Sequence, residues 1–93
     1  MHLGRETPVA FLKAMPEYVK EAVQCEPKGE FLNCTLLGDG FNASAGIAVE
    51  IIYYGHDCAL VEFKELQHRV NVRILESMEK NNVRVIEGPR LQH

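Results

Sequence analysis

Apolar residues recur early in the chain at roughly helical spacing: Val9, Phe11, Leu12, Met15, Tyr18, Val19, Ala22 and Val23. Steps of this kind lay one stripe of a helix against a core. Thr7-Pro8 reads as the helix start, since a Thr hydroxyl caps free backbone N–H groups and Pro is tolerated at the first helical position. Pro16 removes a hydrogen bond and clashes with the preceding turn, so a kink, or two short helices joined near Met15, is expected. The helical region should stop around Gln24, ahead of Pro27 and Gly29. From Glu30 to Leu37 the period changes to two, with Leu32, Cys34 and Leu36 on one side and Phe31, Asn33 and Thr35 on the other. That is a strand with one buried face. Gly38-Asp39-Gly40 and the stretch through Gly46 supply turn chemistry. Ile47 to Tyr54 is dense in β-branched and aromatic residues and apolar on both faces, as a central strand is, and should pair antiparallel with its predecessor.

Asp57 is expected to cap a long amphipathic helix over 58–80. Phe63, Leu66, Val70, Ile74 and Met78 form its core stripe, and Glu62, Lys64, Glu65, Arg69, Arg73, Glu76 and Glu79 its solvent side. Asn81-Asn82 suits the left-handed conformation of a helix end. Val83 to Glu87 is a short last strand, stopped by Gly88-Pro89. The expected fold is α+β in the order helix, strand, strand, helix, strand, as one domain over residues 1–93. One more strand in front would make it a ferredoxin-like (split βαβ) sandwich, an antiparallel sheet with two helices on one face. Met1 to Glu6 is a poor candidate for that strand, so the sheet is expected to have three strands or to lack one.

Composition narrows the function classes. The chain is 46% hydrophobic and 25% charged, with a formal net charge of −3. Its one local basic cluster, His68, Arg69 and Arg73, is diluted by Glu65 and Glu76, so no nucleic-acid partner is expected. The apolar runs Ile47-Ala48-Val49 and Ile51-Ile52-Tyr53-Tyr54 are split by Glu50 and fall far short of the ~20 residues of a membrane-spanning helix. No direct membrane insertion by this segment is expected, and any membrane association would come through an upstream region. Met1 to Glu6 lacks the apolar region of a signal peptide. Cys25, Cys34 and Cys58, odd in number and widely spaced, fit reduced thiols in the cytoplasm.

No constellation points to catalysis. His56-Asp57-Cys58 mixes metal-ligand types, but three adjacent residues rarely converge on one ion, and a helix start explains them. Gly38-Asp39-Gly40 lacks the Gly-Lys-Ser/Thr of a phosphate loop. Cys34 belongs to a strand's apolar face, and Cys25 and Cys58 lie near helix ends with no base in a recognisable motif. Neither a catalytic residue, a metal nor a cofactor is therefore expected. Tyr53-Tyr54 puts one ring on each face of the central strand. Packing accounts for one ring, and the pair is the candidate subunit interface, since aromatics are enriched there.

From Gly38 onward the chain resembles the C-terminal cytoplasmic domain of the MscS-type (small-conductance) mechanosensitive channels. Three stretches carry the likeness. Phe41-Asn42-Ala43-Ser44-Ala45-Gly46 runs into the apolar strand Ile47-Ala48-Val49-Glu50-Ile51-Ile52-Tyr53-Tyr54, a small-residue turn before a strand ending in an aromatic. Glu62 to Leu75 is similar to the family's last long helix, with Asn71 ahead of an apolar turn, and Asn82-Val83-Arg84-Val85-Ile86-Glu87-Gly88-Pro89 to its closing strand and terminal Pro. The family's transmembrane segments and middle β domain have no counterpart in these residues. The resemblance implies a non-enzymatic domain that assembles as a homo-oligomer around a symmetry axis into a vestibule for ions and small solutes. The alternative is an independent ferredoxin-like homo-oligomer that binds a small ligand and covers its open sheet edges by association. A small enzyme is a third class, for which the sequence offers no acid, base or nucleophile.

Overall fold

The computed structural model describes residues 1–42 and 46–87. Its elements are β1 (His2–Leu3), α1 (Val9–Gln24), β2 (Gly29–Asn42), β3 (Gly46–Gly55), α2 (Leu60–Lys80) and β4 (Val85–Glu87). The four strands make one antiparallel sheet in the spatial order β2-β3-β1-β4. The fold is α+β, and its order is β-α-β-β-α-β rather than one that starts with a helix. The strand that Met1 to Glu6 seemed too polar to form is present.

Pairing rather than pattern makes β1. Two residues carry no visible period, but His2 lies opposite Ala48 and Leu3 opposite Ile47 on one side, with Glu87 and Val85 on the other. Backbone bonds extend the contact at both ends: Val49 N–H donates to Met1 O at 2.8 Å, and Gly4 N–H to Arg84 O at 2.7 Å. Leu3 is fully buried. Gly46 has a φ of 80°, and a Cβ there would collide with the Leu3 carbonyl, so only glycine lets β3 begin this close to β1.

Helix α1 is continuous through Pro16, not two helices, and buries Phe11, Met15, Val19, Ala22 and Val23. Thr7 does not cap it. Pro8 holds the cap position without a side-chain bond, while the buried Thr7 hydroxyl donates to Gly4 O at 2.5 Å and ties the β1–α1 connection down. The long helix α2 starts at Leu60, with Ala59 at its cap position, and again no side chain caps it. Asp57 instead takes a φ of 51° in the turn before it, a left-handed conformation that Asp tolerates better than most residues. At the other end Asn82 takes the expected left-handed conformation, φ 57°.

In β2 the alternation changes phase. Phe31 pairs with Tyr53 and Asn33 with Ile52, which leaves Leu32 as a bulge. The extra residue turns Phe31 and Cys34 to the core side and puts Leu32, expected inside, at 42% exposure; Leu36, opposite Val49 and also expected inside, is 42% exposed too. The strand also runs past Gly38-Asp39-Gly40 to Asn42, with a register shift between Leu36 and Phe41 in place of the expected turn. Residues 43–45 and Gly88-Pro89 lie outside the described residues.

Both helices pack on one face of the sheet. Phe11, Met15, Val19 and Val23 of α1 join Leu66, Val70, Ile74 and Met78 of α2 in one cluster with Leu3, Cys34, Ile47 and Val49. A buried carboxylate links the helices at one end. Glu26, 6% exposed, follows α1 and accepts bonds from Arg69 Nη2 at 2.6 Å and Arg73 Nη1 at 2.7 Å, both on α2. Arg73 also donates to Ala22 O at 3.2 Å. The Arg69 bonds, reinforced by those of Arg73, hold the Glu26 carboxyl down at about 2 against the cost of its burial.

Two outcomes are expected. Leu3→Ala should lower unfolding free energy in urea by about 2–4 kcal/mol, as for other buried Leu truncations, despite the shortness of the strand. Glu26→Gln should cost on the order of 2 kcal/mol at neutral pH, less than a fully buried pair because the arginines are part exposed. Glu26 has a lower pKa folded than unfolded, so its contribution is complete above pH ~4.5 and fades as pH falls towards ~2. Urea titrations across that range should show the gap between wild type and Glu26→Gln closing with acid.

Candidate functional site

Among the described residues the sheet has helices on one face only. On the other, β3 presents Ala48, Glu50, Ile52 and Tyr54, and their cross-strand partners His2, Thr35, Asn33 and Glu30 share that face. Ile52 is 39% exposed and Tyr54 56%. The alternation of β3 separates the two tyrosines nominated for an interface. Tyr53 points into the core side, tilted against Phe63 of α2 with ring centroids 6.4 Å apart. Tyr54 is on the uncovered face, edge-on to His56 at 6.4 Å. Of the pair, only Tyr54 stands ready to meet another molecule.

Phe63 reaches Tyr53 because Gly55 ends the strand. A Cβ at Gly55 would lie 2.7 Å from the Phe63 ring. Burial raises the Tyr53 pKa, and its buried hydroxyl finds no hydrogen-bond partner. An orphaned buried hydroxyl costs stability relative to a phenylalanine in the same place.

Beside this ring, at the end of the β2–β3 pair, the turn 56–59 gathers polar groups. His56 Nε2 contacts Glu30 Oε1, and His56 N–H donates to Lys28 O at 2.8 Å. Lys28 Nζ donates to Glu62 Oε2 at 2.8 Å and to Asp57 O at 3.2 Å. The bond between them raises the Lys28 pKa and lowers that of Glu62. The Cys58 thiol donates to His56 O at 3.3 Å. His56, Asp57 and Cys58 thus each have a local role in the turn, and no group of three or more His, Cys, Asp or Glu among the described residues is placed to hold a metal. Burial pushes the Cys34 thiol up to about 11, the mark of a packed rather than a reactive cysteine.

The basic cluster is built differently from what its sequence suggests. Arg69 and Arg73 both reach Glu26 while their side chains stay 48% and 34% exposed, beside the exposed His68 and Lys64 on α2. The signal for this was present: two arginines one helical turn apart, and an acid just before Pro27. A hollow of about 370 Å³ is lined by Val61, Lys64, Glu65, His68 and Arg69, all from α2, so a single helix forms its floor. The crevice between α1 and β2, beside Leu12, Pro16 and Leu36, measures about 20 Å³. That is room for about one water and not for a metabolite. No helix among the described residues is long and apolar enough to cross a membrane.

No family model matches the chain, and neither a curated protein nor a solved structure matches it.

Tyr53→Phe should leave the unfolding free energy unchanged or raise it by up to ~1 kcal/mol, because it removes a hydroxyl that has no partner. Urea melts of the two proteins at one pH decide it, and a clear loss would mean that the hydroxyl is bonded.

Proposed function

We propose that the chain is a non-enzymatic cytoplasmic domain of the kind that walls the vestibule of MscS-type mechanosensitive channels, and that its work is subunit assembly. The uncovered sheet face carries this reading: Ile52 and Tyr54 stand exposed between charged neighbours on a surface that a lone subunit leaves in water. Exposed apolar and aromatic groups on one rigid face are what an association surface offers. The resemblance from Gly38 onward supplies the family. Strand β1 supports it further, because the family's strand ahead of the first helix, which the sequence had seemed to lack, has a counterpart in His2–Leu3. The strand order β2-β3-β1-β4 fits a ferredoxin-like sandwich. Any part in ion transport is then indirect, through the shape of the vestibule, with no cofactor or metal and no catalytic residue. Association of the isolated domain is weak in this reading, since the membrane part sets the effective concentration.

An independent homo-oligomer with a small ligand is the second reading, favoured by the same open face. A ligand would sit between subunits, because the crevice beside α1 is too small for one.

Sequencing the source DNA upstream of the Met1 codon separates the two. An in-frame extension with apolar segments of about 20 residues is expected for the channel reading. A stop codon and ribosome-binding site directly before Met1 would overturn it.

A further inference from the structure

Strand β3 is 10 residues long, and β1, its partner on one side, has 2. Their ladder stops short. Val49 N–H donates to Met1 O at 2.8 Å, and the Met1 amine donates back to Val49 O at 3.2 Å, so the two residues exchange both bonds. In an antiparallel ladder such pairs recur at every second residue. The next backbone groups that β3 turns to this side are therefore those of Ile51 and Tyr53. The other side agrees in phase: His56 N–H donates to Lys28 O, so the even-numbered residues of β3 serve β2. Among the described residues no backbone group of another segment meets Ile51 or Tyr53 on the β1 side. Strand β4 does not reach them, since Glu87 stands opposite His2. Beyond Met1, β3 is thus an edge strand, with donors and acceptors at ladder spacing. Such an edge is a template for one more extended segment.

The amine of Met1 identifies that segment, because it already occupies a ladder position. A peptide N–H in its place keeps the bond to Val49 O, and whatever precedes it is delivered into the lane beside Glu50 to Gly55. We propose, on the reading above that Met1 continues from a longer chain, that the residues directly ahead of Met1 lengthen β1 along this edge, antiparallel to β3. Roughly five residues, at a strand's rise of ~3.4 Å each, carry it to Tyr54. Met1 opposite Val49 sets the register. The second and fourth residues ahead of Met1 lie opposite Ile51 and Tyr53, which are part buried against the core, and are apolar for that reason. The first, third and fifth lie opposite Glu50, Ile52 and Tyr54, where cross-strand contact covers part of the two exposed apolar side chains. A slip of one residue would turn the apolar pair to the wrong face. Held in this way, the domain joins what precedes it through a continuous strand and not through a loose linker.

Native-state amide exchange followed by NMR tests this on the 93-residue chain and on the chain extended back through the residues that its source DNA encodes ahead of Met1. In the shorter chain the Ile51 and Tyr53 amides should exchange at least roughly tenfold faster than that of Ile47, which β1 covers. The extension should slow both by roughly tenfold or more, while an unchanged Ile47 rate shows that the fold is the same. The encoded residues second and fourth ahead of Met1 should be apolar. An extension that leaves Ile51 and Tyr53 as fast as before would overturn this docking and leave the channel reading in place. Protection already present in the shorter chain would also overturn it. If that protection vanished on deletion of residues 88–93, the lane would belong to them; if it grew with concentration, to a second copy. A stop codon directly ahead of Met1 would overturn the docking and the channel reading together.

Discussion

Strand β4 touches the sheet only through β1, and β1 is His2 and Leu3. The spatial order β2-β3-β1-β4 makes this short segment the link between the β2–β3 ribbon and the end of the chain that α2 delivers. Backbone bonds from Val49 to Met1 and from Gly4 to Arg84 lengthen its grip beyond two residues, and Leu3 fills the core between Ile47 and Val85. The Cβ-free backbone at Gly46 is a condition of that approach. Between the helices, Glu26 has the corresponding task. It is the one acidic side chain among the described residues that is buried, and two arginines from α2 hold it there. Hydrophobic burial drives the two layers together, while these polar ties fix how the layers sit.

How much of this was legible depended on length of pattern. Helix α2 shows its core stripe over about four turns, and Leu66, Val70, Ile74 and Met78 are buried as the spacing required. The pairing of β2 with β3 also follows from alternation and proximity. What the sequence hid is non-local. Two residues cannot display a period, so β1 exists only through partners some 45 and 80 positions away. The bulge at Leu32 reversed the faces of part of β2, and nothing in a run of Phe, Leu and Asn announces an extra residue. Thr7 and Asp57 had the right chemistry for helix caps. Each found another local use, Thr7 on Gly4 O and Asp57 in a left-handed turn, which competes with a cap bond.

The candidate surface was half legible. Alternation along β3 required one tyrosine in and one out, and the structure makes Tyr53 the inner and Tyr54 the outer. Arg69 lies on the solvent side that the helical spacing gives it, 48% exposed, with Arg73 part buried beside it, and from there both reach Glu26 at the end of the other helix.

A sheet covered on one side has two ways to be stable. It can present a polar outer face, as half-solvated antiparallel sheets commonly do, or it can be covered by something else. Strand β3 takes neither course fully. Glu50 and its partner Thr35 are polar, yet Ile52 and Tyr54 follow on the same face with Asn33 and Glu30 across from them. Single exposed apolar side chains are normal on a protein surface, and Ile52 and Tyr54 are the two large ones that this strand leaves in water.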